Sequence, residues 1–307
     1  MLVKDKDLSE QEQLHQVVRQ LSQPLAEDPI CLQRMPPPNI QQLGKMNHLL
    51  RVILFPKYFG ESALKPVTLA NSIGAILDKV TKLLFNQIMR GVCFACSGKI
   101  PLKTCQSQAR EKVRHFVTRL PQIRDLLEKD VYAAYMGDPA AQSTNEVIFC
   151  YPSIKALTTF RIAHELHVSR VPIIPRILTE MVHSETGIDI HPGAVIGESF
   201  FMDHGTGIVI GETVEIGKNV RIYQGVTLGA KSFLNDKNGS LVKGIPRHPI
   251  VEDDVIIYSG ATILGRVTIG TGSIIGGNVW ITANVPSHTR VIQTKPKAYL
   301  FENGGGI

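Results

Sequence analysis

Residues 251–285 read VEDDVIIYSGATILGRVTIGTGSIIGGNVWITANV, and they keep a beat of six. Val251, Ile257, Ile263, Ile269, Ile275 and Ile281 are β-branched aliphatics. Four residues after each stand Val255, Ala261, Val267, Ser273, Val279 and Val285, all small or β-branched. A helix repeats at 3.6 residues and a flat strand at 2, so neither accounts for a strict six. A hexad repeat describes short strands turning corners around a prism, with one aliphatic pointing inward per face. Working backward, Ile210, Ile216, Ile222 and Leu228 keep the same step, as do Ile190, Ile196 and Met202. The register breaks twice. Met202 and Ile210 are eight apart, around Asp203-His204-Gly205-Thr206-Gly207. A second break, from about Lys231 to Pro249, is rich in Gly, Lys, Asn and Pro and reads as a loop leaving the prism. Repeat proteins keep a regular core and carry function in their interruptions, so these are the two places to look for chemistry.

The 307 residues suit one large or two medium domains, and a hydrophobic content of 43% supplies a soluble core. Apolar runs stay short of the roughly 18 residues of a membrane span, and Met1–Gln20 is polar without an apolar signal core. The expectation is a cytoplasmic protein that engages no membrane. A net charge of +6, without a basic stripe interleaved with aromatics, does not indicate nucleic acid. Five cysteines at irregular positions argue against a disulfide framework.

Before the prism the chain reads as helical. Ser9–Leu21 opens on an N-cap serine; Asn39–Phe55, Leu69–Val92, Lys112–Tyr135 (with a break near Pro121), Ile154–Leu166 and Arg176–His183 follow. The fold class expected is α+β, an all-helical domain over 1–185 feeding a parallel β-helix over 186–286. A loop protrudes at about 231–249, and residues 287–307 form a tail. A prism has almost no cleft of its own, so a concave site needs a second surface. The economical arrangement is a homotrimer, with grooves between neighbouring prisms.

Asp189 opens the repeat, and Asp203-His204 follows within one coil, so stacking at about 4.8 Å brings them near one another. A carboxylate beside an imidazole fixes its tautomer and prepares the other ring nitrogen to act as a base. Arg247 offers a planar fork for a carboxylate, with His248 as an added donor. Asp138, taken alone, reads as a helix N-cap. Cys93, Cys96 and Cys105 lack a fourth ligand at a zinc-like spacing, so no metal is expected.

The runs Thr186–Gly197, Met202–Thr213, Gln224–Gly229 and Arg247-His248-Pro249, with Gly137–Ala140 and Arg161–His164, closely resemble serine O-acetyltransferases over roughly residues 130–285. The resemblance implies a left-handed parallel β-helix and transfer of acetyl from acetyl-CoA to the hydroxyl of L-serine, with acetyl-CoA as co-substrate and no permanently bound cofactor. Carried over by motif, His204 is the general base and Asp189 its orienting partner. Arg247 and His248 hold the serine carboxylate, and Asp138 and Asp203 receive the ammonium, which displaces the cap reading of Asp138. Gly229, Ala230 and Lys231 neighbour the CoA arm. The family also implies a trimer or a dimer of trimers, competition by cysteine at the serine site, and a terminal isoleucine, here Ile307, that docks into O-acetylserine sulfhydrylase. The first hundred residues match the compact members poorly, and the loop from Ala230 to Pro246 is long.

Three rivals share parts of this pattern. A hexapeptide acyltransferase for another small hydroxyl acceptor lacks the Asp-Pro-Ala and Arg-His-Pro elements. A γ-type carbonic anhydrase needs histidine spacings that His191, His204 and His248 do not have. A non-catalytic scaffold for the sulfhydrylase would not turn over substrate.

Overall fold

The computed structural model describes residues 10–23, 35–60, 66–96 and 99–294. The expected cap at Ser9 and the tail end at Ile307 lie outside them. Among the described residues are eight helices: α1 (Glu10–Leu21), α2 (Ile40–Leu54), α3 (Pro56–Phe59), α4 (Pro66–Ala95), α5 (Leu102–Gly137), α6 (Thr144–Cys150), α7 (Pro152–Val168) and α8 (Ile174–Thr186). None is long and apolar enough to cross a membrane.

The expected break at Pro121 does not occur: α5 runs 36 residues straight through it. Proline removes one backbone donor and crowds the preceding turn. The helix is held instead by its buried stripe, in which Val113, Phe116, Leu120, Ile123, Leu127, Val131 and Ala134 recur at spacings of three and four. Asp138 also departs from its lone reading. It caps the C-terminus of α5, and Ser143 is the N-cap of α6, its hydroxyl accepting from the Glu146 N–H at 3.2 Å.

Among the described residues, fourteen strands of two or three residues form three parallel faces. The first face stacks β1 (Asp189–Ile190), β4 (Val209–Ile210), β7 (Thr227–Gly229), β10 (Thr262–Leu264) and β13 (Trp280–Ile281). The second stacks β2 (Val195–Ile196), β5 (Glu215–Ile216), β8 (Ile250–Val251) and β11 (Thr268–Ile269). The third stacks β3 (Phe201–Asp203), β6 (Arg221–Tyr223), β9 (Ile256–Ile257), β12 (Ile274–Ile275) and β14 (Arg290–Val291). Every hexad aliphatic from Ile190 to Ile281 is buried on the prism axis. Each such side chain contributes about 1.5–3 kcal/mol on leaving water. Ser273 is the polar exception; its hydroxyl donates to the Pro286 carbonyl at 2.8 Å and accepts from the Thr289 N–H at 3.2 Å. Val209 pairs with Thr227, and Ile250 with Thr268, a step of 18 residues. Asp189 pairs with Val209, a step of 20, so the corner at His204 holds the two extra residues.

A buried ion pair fastens the helices to the prism. Arg161 of α7 meets Asp130 of α5 through two bonds, at 2.6 and 2.9 Å. The same guanidinium donates to the carbonyls of Ile196 (3.3 Å) and Gly197 (2.8 Å), and the Asp130 carboxylate accepts from the Phe200 N–H at 3.0 Å. Every partner of this fork is thus supplied.

Candidate active site

The first constellation gathers where the third face turns into the first. Asp203 ends β3 and is half-buried. His204 follows in the left-handed backbone region (φ 55°), and its side chain is 71% exposed. That turn throws the imidazole outward, clear of the prism core, with its Nε2 at 3.8 Å from an Asp203 oxygen. Asp138 arrives from the end of α5. Its approach depends on Gly137, where a Cβ would fall 2.7 Å from the Phe201 ring. One Asp138 oxygen accepts from the Ala140 N–H at 2.8 Å, and the other accepts a short bond from the Tyr151 hydroxyl. Those two donors, Tyr151 first, hold the Asp138 carboxyl below its usual range, and the nearby His204 adds to the effect. Burial pushes the Tyr151 phenol up, and the carboxylates of Asp138 and Asp203 push it further.

Asp189 is expected beside His204; its backbone pairs with the coil that follows the corner. The Gly207 N–H bonds the Gly187 carbonyl at 2.8 Å, and the Asp189 N–H bonds Ile208 O at 2.9 Å. The carboxylate within 4 Å of the imidazole, however, is that of Asp203.

The second constellation lies at the other edge of the first face, where β4 and β7 turn toward the second. Arg247 donates to Glu212 at 2.7 Å. The Thr213 hydroxyl accepts the backbone N–H groups of Arg247 (2.9 Å) and His248 (3.2 Å). His248 is buried, and its Nδ1 accepts from the Thr213 N–H at 3.1 Å, which leaves the proton of the neutral ring on Nε2. Its ring lies where Gly211 has no side chain: a Cβ there would sit 2.1 Å from it. Burial, then the Arg247 charge, push His248 down to about 4. His191, whose Nδ1 accepts from the Gly193 N–H at 3.0 Å, is also lowered to about 4, by burial and then Arg176. Gly229 ends β7 at this edge, followed by half-buried Ala230 and exposed Lys231.

Within one chain, therefore, Asp138, Asp203 and His204 come together, Arg247 and His248 gather on Glu212 and Thr213, Gly229–Lys231 follow β7 at that same edge, and β4 stands between the two groups. Sequence reasoning missed Tyr151, Glu212 and Thr213. It also missed Tyr223 and Tyr258, which stack at 5.1 Å and 13° beside Asp203. The tyrosine pair had a signal: each follows a hexad aliphatic by one, as Asp203 follows Met202. Tyr151 had none, because only the packing of α7 on α5 brings it to Asp138. Cys105 lies against Cys93 and Cys96, and burial pushes its thiol up to about 12. Among the described residues no group of His, Cys, Asp or Glu is arranged to hold a metal.

Comparison with known proteins places this geometry. Residues 248–283 match the family model for bacterial transferase hexapeptide (six repeats). The chain is 50% identical over 302 residues to a plasmid serine acetyltransferase of Synechococcus elongatus, covering 96% of this chain and 95% of that one. Serine acetyltransferase isoform 3 of Entamoeba histolytica, solved in complex with cysteine, superposes with a TM-score of 0.71 at 35% identity, over 95% of both chains. A serine acetyltransferase solved in complex with CoA gives a TM-score of 0.52 at 26% identity, over 81% of this chain and 97% of that one.

Proposed function

We propose a division of labour between the two corners of this chain, which belongs to the serine acetyltransferase family. The chain transfers acetyl from acetyl-CoA to the hydroxyl of L-serine, giving O-acetyl-L-serine and CoA, the step that commits serine to cysteine. His204 is the general base. It takes the hydroxyl proton as the serine oxygen attacks the thioester carbon; the C–S bond breaks, and the imidazolium returns the proton to the CoA thiolate. Its exposure at a prism corner leaves the imidazole accessible to substrate. Asp138 and Asp203 bind the serine ammonium, and Tyr151 holds Asp138 ionised and in place. Arg247 takes the serine carboxylate, with the His248 ring as a neutral donor beside it.

Because β4 separates the two corners of one prism, the guanidinium facing His204 comes from a neighbouring copy, and the working unit is a trimer with three shared sites. Asp189 orients His204 from the coil below. Gly229, Ala230 and Lys231 flank the CoA arm, Lys231 facing its phosphates. L-cysteine, with a thiol in place of the hydroxyl, fits the same clamp and competes with serine. The cytoplasm, pairing of two trimers, and docking of a sulfhydrylase at Ile307 complete the reading. Light scattering, and capture of the sulfhydrylase with and without residues 298–307, test the last two.

The observation that carries the reading is the convergence of Asp138 from α5 with Asp203 and His204 from the expanded corner. The test is release of CoA thiol from acetyl-CoA across L-serine, L-homoserine and a sugar panel, each with and without L-cysteine. Serine-dependent release suppressed competitively by cysteine is expected. Release with sugars and none with serine would assign the prism to another acceptor.

A further inference from the structure

A cavity lies in the helical half, away from both corners. Helices α2, α7 and α8 bound a cavity of about 230 Å³ lined by Asn47, Arg51, Lys155, Thr158, Thr159 and Glu185. Gly44, His48, Met181 and Val182 complete the lining, which mixes polar and apolar surface and carries the charges of Arg51, Lys155 and Glu185. Lys155 is paired to Glu185, which leaves the Arg51 guanidinium as the net charge of the wall. That guanidinium is held flat, its carbon 3.8 Å from the centroid of the Phe59 ring. Its Nε is buried and finds no acceptor among the described residues. The Asn47 amide is held as well, its nitrogen donating to the Thr159 hydroxyl at 3.0 Å, yet its carbonyl oxygen is buried without a donor among the described residues. Leaving either group without a hydrogen bond costs roughly 1–3 kcal/mol, more for the charged one. One wall of the cavity thus offers a cationic donor, and the same helix, one turn earlier, offers a neutral acceptor.

We infer that this cavity is a binding site for a small α-hydroxy or α-amino acid. The ligand carboxylate accepts from Arg51 Nε, and its adjacent hydroxyl or ammonium donates to Asn47 Oδ1. The spacing fits that pairing: Asn47 and Arg51 are four residues apart on α2 and so share a face. A plain carboxylate satisfies only one of the two orphaned atoms, and an amine without a carboxylate meets a net positive wall. The volume of about 230 Å³ accommodates an acid the size of lactate. The site is distinct from the serine clamp and does not depend on the assignment of His204 or Arg247.

The experiment is thermal unfolding of the full chain with L-lactate as the probe and propionate, which has the carboxylate but no adjacent donor, as its control. L-lactate at saturation is expected to raise Tm by about 2–4 °C, and propionate by less than half of that. The shift is expected to persist in Arg247→Ala, where the serine clamp is broken, and to vanish in Arg51→Gln. Should Arg51→Gln fold poorly, Asn47→Leu serves in its place and is expected to reduce the L-lactate shift to the propionate level. Equal shifts for the two acids, no shift with either, or a shift lost in Arg247→Ala and kept in the α2 variants would each overturn the inference.

Discussion

His204 shows how a single backbone torsion decides chemistry. In the left-handed region its ring swings away from the aliphatic axis and stands in solvent beside Asp203. Replacing the proposed base by alanine leaves the proposed clamp, so His204→Ala is expected to lose roughly 10²–10⁴-fold in kcat with little change in KM for serine; steady-state thiol release measures both. Tyr151→Phe separates binding from chemistry. It deletes the hydroxyl that pins Asp138, and KM for serine is expected to rise about tenfold while kcat stays within a factor of two. Three imidazoles that burial holds neutral give a pH signature, His164 among them with its pKa lowered. His191, among Arg176, Glu212, His167 and Asp189, and His248, among Arg247, Glu212 and Arg266, are folded in the neutral state near a pKa of about 4, against an ordinary value of about 6.5 in the unfolded chain. Between those values the unfolded state binds more protons, so stability is full above about pH 6.5 and falls as the pH drops toward 4. The lowered carboxyl of Asp138 acts below that window, where the folded chain resists protonation. Melting curves from pH 7 to 4.5 are expected to show a declining Tm, and His248→Gln a shallower decline.

At the scale of elements, the joint between α5, α7 and the first coil sets the geometry of the site. Asp130 sits in the buried stripe of α5, where any other charge would be excluded, and is tolerated because Arg161 reaches it from α7 and goes on to two carbonyls of the prism. Burial pushes the Asp130 carboxyl up, and the guanidinium opposes it. Arg161→Met would strand that carboxylate, and denaturant unfolding is expected to report a loss of about 3–5 kcal/mol. Asp130→Leu combined with Arg161→Met removes both charges and is expected to recover part of it. If the single variant cost under about 1 kcal/mol, the joint would be ornamental, and the seating of Asp138 would need another explanation.

For the whole molecule, the decisive feature is that β4 keeps His204 and Arg247 on different edges of one face. A shared site has a direct consequence for mixtures. His204→Ala and Arg247→Ala chains are each expected to be inactive alone. Unfolded together in equal amounts and refolded as random trimers, they are expected to regain about a quarter of wild-type activity, because one interface in four pairs an intact His204 corner with an intact Arg247 corner. Activity that stays at the level of the parents would mean that each site is built within one chain.

The hexad pattern was legible because a prism core is a local rule: every sixth side chain meets the same axis, so Ile190 through Ile281 declare their burial without reference to anything distant. The interruptions declared the corners in the same way, and with them Asp203, His204, Arg247 and His248. Spacing was silent on what lies across space from those residues. Pro121 reads as a break because local propensity opposes helix there, yet burial of Leu120 and Ile123 outweighs one lost hydrogen bond. Tyr151 and Asp138 are held together by the packing of α7 against α5, a contact that no periodicity encodes. Repetition along one chain is written in that chain, whereas the meeting of two helices and a coil is set by how their buried faces fit, and only the folded molecule fixes that.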